Sequence, residues 1–490
     1  MNIIFAIIKT LSKEERIGFI QYLKHKNRRG DVKNIQLFKL IEAGNAVNLD
    51  VKIYGKPAKN AYHALSKRLQ DALIDFVASK SFDGEASEEL EILKLLLASR
   101  IFFECSQYRV AFKTLKRAEK NALELDLYGI LNEIYYTKIQ YLHLDDSLVL
   151  QEVIEVSNTN MKFFQKEHQL NMVYASIKEG LKNTKNKTIN DIVSEAFLNF
   201  DVKMDSSLTY KSLYQLMSIT STVAKEKSNY YDIVPFMVEA YDVLHRKKNT
   251  ADKHLFYHIH ILEMMATNSF RNKEFNVSMK FINQMELEMQ KREGKYYKVF
   301  VDRLVVLKAL NYNFTGMHTN AIALLQQSTG DSLDAKLVLI MCQFQQGNCS
   351  EAYTVFKKLN HSDAWYLKKK GRIWVLKKNI LEILILIELD KLDLVLMRLQ
   401  SFKRKFEKQL VEMGEKRALN FIKVVRYYYE NPKDVTSATF KEKVESSFDW
   451  VGPKKEDIFV MSFYAWLKAK MEQRNLYDIT LELVKCNDIF

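Results

Sequence analysis

Apolar residues recur three and four positions apart along most of the chain, the spacing of an amphipathic helix. Ser12 and Glu15 form a capping-box pair, and Ile17, Ile20 and Leu23 then share one helical face. The basic run Lys24 to Arg29 before Gly30 suits the end of that helix, because cations complement its dipole. A second short helix is predicted over Ile35 to Ile41. A third follows Pro57, with Tyr62, Leu65, Leu69, Leu73 and Phe76 as its apolar stripe. Residues 1–80 thus read as a small helical module, set off by the polar stretch Ser81 to Glu85. From Glu88 helix follows helix, with breaks at Asn183 to Thr188, His245 to Asp252 and Gly294. The stretch Asp145 to Arg246 is helical by pattern and is expected to form irregular hairpins. Runs of alternating Val, Ile and Thr bounded by turn dipeptides are lacking, so no sheet is expected.

One stretch repeats itself. Shifting Val305 to Leu359 by 31 residues places Gly316 on Gly347, Ala321 on Ala352 and Leu325 on Phe356. Each copy is an apolar segment, a glycine-containing break and a second apolar segment, which predicts a helix, a tight turn and a helix. The small residue early in each second helix lets two backbones approach, and the large residue four places later fills the next turn of the groove.

This pair resembles the tetratricopeptide repeat family, whose helix A small and aromatic positions are Ala309 and Tyr312, with Gly316, Ala321, Leu325 and Ser328 following. The second copy keeps Gly347, Ala352 and Phe356. An earlier copy has Ser99, Phe102, Tyr108, Ala111, Leu115 and Ala118, another has Ala266, Phe275, Ser278 and Ile282, and Ile383 to Phe402 keeps only apolar character. The resemblance covers about half the chain. It implies an all-α fold, a right-handed α-solenoid of stacked hairpins over residues 88–430 behind the N-terminal module. Residues 434–490 are expected to be a helical cap, with Phe459, Phe463, Trp466 and Met471 closing the open end of the array. The resemblance also implies an inner groove presenting Arg100, Phe103, Phe270, Arg303, Leu310, Met341 and Phe344. Lys and Asn, which grip a terminal carboxylate in some members, are missing from the matching positions, such as Leu96 and Arg100 or Leu337 and Met341. An apolar groove of this kind suits an amphipathic helix or an extended apolar peptide.

Composition sharpens this picture in a few places. Only 14 Gly and 4 Pro punctuate 490 residues, as long helices with short turns require. Cys105, Cys342, Cys349 and Cys486 are scattered and form no CxxC, so they read as ordinary buried thiols of a reducing compartment. The apolar run Ile3 to Ile8 is too short for a signal peptide, and no apolar window spans a membrane, which makes the cytoplasm the expected location. A net charge of +14 favours acidic partners, although 60 acidic residues are interleaved with 74 basic ones.

Three clusters compete as chemistry. Lys59, His63, Lys67 and Arg68 lie on the polar side of the third predicted helix, in a module that resembles the helix-turn-helix of bacterial regulators that precede helical repeats. Lys368, Lys369, Lys370 and Arg372, flanked by Trp365, Tyr366 and Trp374, could neutralise phosphate while the aromatics stack bases. His254 and His258 have the spacing of a metal pair but lack an HExxH carboxylate. No phosphate loop, nucleophile elbow or Cys/His signature is present, so no enzyme, cofactor, metal or small-molecule substrate is expected. The sequence predicts a scaffold that binds a protein partner in its groove, with nucleic-acid binding as the alternative.

Overall fold

The computed structural model describes residues 3–11, 13–26, 32–44, 48–79, 85–183, 189–205, 208–227, 229–246, 252–328, 332–412, 416–447 and 456–485. Every regular element among them is helical, and none is a strand. The positions expected at Ser12, Gly30, residues 81–84, 184–188 and 451–453, and Cys486, lie outside the described residues. The chain divides into two compact units, Met1–Glu91 and Ile92–Phe490.

The first unit contains α1 (Ile3–Thr10), α2 (Lys13–Lys26), α3 (Val32–Glu42), α4 (Leu49–Tyr54) and α5 (Lys59–Ser79). Its core joins Ile4 and Ile8 to Phe19, Leu37, Phe38, Leu69 and Leu73. The ring of Phe19 lies 5.1 Å from that of Phe38 and 5.2 Å from that of Phe76. α5 packs against each of the other four helices, because its stripe of Leu65, Leu69 and Leu73 supplies the largest apolar face. Three helices were expected and two more are found. The run Ile3 to Ile8 forms α1, with Ile4 and Ile8 one turn apart and buried. α4 is six residues long, too short to show a period, and is stopped by Gly55 at φ +72°.

The two units divide within α6 (Glu85–Glu104). The second unit continues through α7 (Tyr108–Glu124), α8 (Tyr128–Tyr141), α9 (Leu150–Asn183), α10 (Ile189–Asn199), α11 (Tyr210–Lys227) and α12 (Val234–Arg246). Then come α13 (Leu255–Arg271), α14 (Phe275–Gly294), α15 (Tyr297–Phe314), α16 (His318–Gln327), α17 (Leu333–Gln345) and α18 (Cys349–Phe356). The last helices are α19 (Asp363–Lys370), α20 (Arg372–Glu388), α21 (Leu392–Glu412), α22 (Lys416–Glu430), α23 (Ala438–Ser447), α24 (Ile458–Glu472) and α25 (Leu476–Lys485). The stretch expected to hold irregular hairpins contains α9, a single helix of 34 residues, which packs against both α10 and α11, and α11 in turn against α12.

Pairs α13–α14, α15–α16, α17–α18, α20–α21 and α24–α25 each form a hairpin, and α13, α15, α17 and α20 also adjoin one another in sequence. Ala321 and Ala352 are completely buried, as are Ala111, Ser278 and Val395 at the same place in their hairpins. Where the residue is Ala or Ser, the lack of bulk lets the partner helix sit close. The turns share one geometry as well. Ser106, Lys273, Gly316, Gly347, Asp390 and Gln473 all have left-handed φ, between 51° and 95°. In each, the next residue's N–H reaches back to a helix carbonyl, as from Met317 to Tyr312 at 2.8 Å and from Lys391 to Leu386 at 3.0 Å.

The C-terminal hairpin does not simply cover an end. α25 lies against both α15 and α17. The Tyr477 hydroxyl donates to the Asn313 carbonyl at 2.5 Å. On α24, Trp466 Nε1 donates to Glu388 of α20 at 2.6 Å, and Phe459 meets Phe270 of α13 with ring centroids 6.3 Å apart.

Candidate functional site

The expected groove residues separate into two kinds. Phe103, Phe270, Leu310, Met341 and Phe344 are all at least 94% buried, so none offers an open face. Phe103 stacks on Tyr141 at 4.1 Å, and Phe270 packs on Phe314 at 5.7 Å. Leu310 and Met341 share a core with Ile479 and Leu483 of α25, and Phe344 shares a small cleft with Trp466 and Leu476. The C-terminal hairpin thus packs on Phe270, Leu310, Met341 and Phe344 of the expected groove. Arg100 and Arg303 remain partly exposed and bridge helices: Arg100 binds Glu133 of α8 at 2.8 Å, and Arg303 binds Glu263 of α13 at 2.9 Å. Burial alone would raise the Glu263 carboxyl, but His260 and Arg303 outweigh it and hold it below its ordinary value.

Of the two basic clusters, the one in the first unit is open. Lys59, His63, Lys67 and Arg68 are all exposed along α5, with the carboxylates Asp71 and Asp75 continuing the exposed side. The cluster at the end of α19 differs. Lys368, Lys369 and Arg372 are exposed, while Lys370 pairs with Asp334 at 2.6 Å. Tyr366 and Trp374 are core residues stacked on each other at 5.1 Å, and Trp365 stacks on His361 at 4.0 Å. The Tyr366–Trp374 pair joins α19 to α20 and takes those two rings into the core, while Trp365 stays half-buried against the exposed His361.

The candidate metal pair and two of the cysteines are at least partly withdrawn from solvent. His254 and His258 are buried around Tyr210, with ring centroids 5.2 Å and 6.2 Å away, and burial pushes His258 below its ordinary pKa. Cys342 is buried and its thiol is pushed up to about 12, while Cys349, half-buried, is pushed up to about 11. Cys105 departs from the expectation of buried thiols, because it is exposed at the end of α6.

A site missed in the sequence opens beside the C-terminal hairpin. A cleft of about 430 Å³ is lined from α11, α19, α20, α21, α22 and α24. One wall is apolar, built from Ile373, Leu376, Phe421, Phe459, Val460 and Phe463. The same lining carries five cations, Lys225, Lys370, Arg372, Lys377 and Arg417, against one carboxylate, Asp457. Behind it Arg271 pairs with Asp457, and both are buried. Arg417 holds Glu456 at 2.8 Å, and Lys273 Nζ donates to the Glu456 carbonyl at 2.8 Å. Lys377 is the least compensated, with its Nζ lying 3.4 Å from the centre of the Phe459 ring. Burial, then the neighbouring Arg271, push its ammonium well below its ordinary pKa. One sequence signal marks it, a lysine on the otherwise apolar side of the helix that carries Ile373, Leu376 and Ile380. Comparison of the chain with family models, with curated proteins and with solved structures found no match.

Proposed function

We propose that this chain is a non-catalytic scaffold of the tetratricopeptide-like kind, a right-handed stack of hairpins that captures a protein partner through an amphipathic helix or an extended apolar peptide. The supporting observation is an open apolar face on the first hairpins of the second unit. On α6, Leu93, Leu97 and Ile101 recur every four residues and are 45%, 61% and 48% exposed; on α8, Tyr136 is 67% exposed. Such a stripe matches the spacing by which one helix anchors another, and covering it would contribute about 25 cal/mol per Å². The inner face of the later hairpins already holds α24 and α25, so the partner is placed on the earlier ones. The expected setting is the cytoplasm; among the described residues, no helix is long and apolar enough to cross a membrane.

The second reading, nucleic-acid binding through α5, draws on the exposure of Lys59, His63, Lys67 and Arg68. Affinity capture from cells that make the protein separates the two. The scaffold reading expects a protein retained at high salt, indifferent to nuclease, and lost when Leu97→Glu and Ile101→Glu are combined. Material that disappears with nuclease, or whose affinity falls by orders of magnitude between about 50 and 200 mM salt, would replace it with the nucleic-acid reading.

A further inference from the structure

The cleft beside α24 has two chemistries on its walls, and among the described residues no side chain satisfies both. Its volume of about 430 Å³ falls within the range of small-molecule sites, about 300–1,000 Å³. The apolar wall of Phe459, Val460, Phe463, Ile373 and Leu376 takes up a chain that water rejects. Opposite it, positive charge exceeds negative. Two carboxylates act on Lys377, Asp457 and Asp334, and they are already engaged by Arg271 and Lys370. Lys225, on α11, adds repulsion instead of relief. Of the remaining lining cations, Arg417 is spent on Glu456. A group that brings one negative charge and an apolar tail completes the site.

We propose that this cleft binds a single-chain anionic amphiphile, its tail along Phe459 and Phe463 and its carboxylate or phosphate head at Lys377 and Lys225. A bare anion leaves the apolar wall wet, and an uncharged lipid leaves Lys377 without a counter-charge. The site is separate from the partner face on α6, so either can fail alone. Proton linkage follows from the same geometry. In the empty cleft, burial and the surrounding cations disfavour the Lys377 ammonium. A bound anion of fixed charge favours it, so over the range in which the free lysine titrates the complex holds more protons than the free protein, binding takes up part of a proton, and affinity falls as pH rises.

Calorimetric titration of the full chain with dodecanoate, dodecyl phosphate, dodecanol and inorganic phosphate, in two buffers of different ionisation enthalpy, tests this. The expected result is saturable binding of dodecanoate or dodecyl phosphate, with proton uptake for dodecanoate, the tighter of the two identifying the head group. Dodecanol and inorganic phosphate should bind at least about tenfold more weakly. Lys377→Met keeps the length of the side chain and should abolish proton uptake with a loss of about tenfold or more in affinity. Val460→Trp should fill the cleft and abolish binding while the thermal melt stays cooperative. If Val460→Trp does not fold, the four-ligand comparison and Lys377→Met decide. Dodecanol binding as tightly as dodecanoate, inorganic phosphate binding as tightly as dodecyl phosphate, no saturation by either amphiphile, or an unchanged Lys377→Met would each overturn the assignment.

Discussion

Asp363, in the first turn of α19, accepts from Lys378 at 3.0 Å and from Lys405 of α21 at 2.7 Å. Burial by itself would raise its carboxyl; the two lysines prevail and lower it from 3.8 to about 2. Because the folded value lies below the unfolded one, this contribution to stability is complete above about pH 4. It disappears as pH falls toward 2, and the size of the shift corresponds to about 2 kcal/mol. Asp363→Asn should therefore lower the unfolding free energy at neutral pH by that order and flatten the acid limb of a pH series of denaturant melts. An unchanged acid limb would show that other carboxylates govern it. Lys377 and Lys378 look alike as letters in a basic run, yet one reaches Asp363 and the other faces an aromatic ring in a cleft. One residue's difference on a helix is 100°, and that angle has meaning only once neighbouring helices are in place.

At the scale of the hairpin, the unit that repeats is a turn geometry joined to a small buried residue. Two turns use glycine, and those are the two found by self-comparison of the sequence. A side chain at Gly316 or Gly347 would meet no atom within 4 Å, so the positive φ is the whole constraint. Gly316→Ala should destabilise by about 1 kcal/mol for that reason. The converse holds at Ser106, whose φ of 60° is adopted at a cost. Ser106→Gly should gain a few tenths to about 1 kcal/mol, read as a shift in denaturant midpoint with constant slope. A loss of stability in Ser106→Gly would mean that the turn is not where the strain resides. The α20–α21 and α24–α25 hairpins bear Asp390 and Gln473 at this position, and nothing in their letters announces a left-handed turn. Short runs fared similarly: α4 has too few residues to reveal a period, whereas α5, with 21, showed its stripe plainly.

Across the second unit, the arrangement turns on where the C-terminal hairpin lies. Its first helix is held at the N-terminus by the buried ion pair of Arg271 with Asp457, by the half-buried pair of Arg417 with Glu456, and by the Lys273 contact. Removing one member of a buried pair strands the other charge away from water, at a cost of about 3–5 kcal/mol. Arg271→Leu should accordingly release α24 and α25 first. Hydrogen exchange should show amides of residues 458–485 losing protection while those of α13 to α17 keep theirs. Uniform loss of protection would mean that the hairpin and α13 to α17 unfold as one, and that the pair does not hold them selectively.

Helical class, the apolar faces of α5, α15 and α17, and the burial of Ala321 and Ala352 were determined by the sequence alone, because they depend on spacing within one helix and on side-chain size. Tertiary structure alone decided which apolar faces stay open. Phe270, Leu310, Met341 and Phe344 were legible as one surface, but α24 and α25 lie more than a hundred residues downstream of most of them, and no local period reports that they return to cover it. The same return brings Phe459 opposite Lys377 and creates the cleft. A segment's own pattern says that it must bury a face; which face of which distant helix receives it depends on shape and charge summed over the whole unit, and that is settled only when the chain folds.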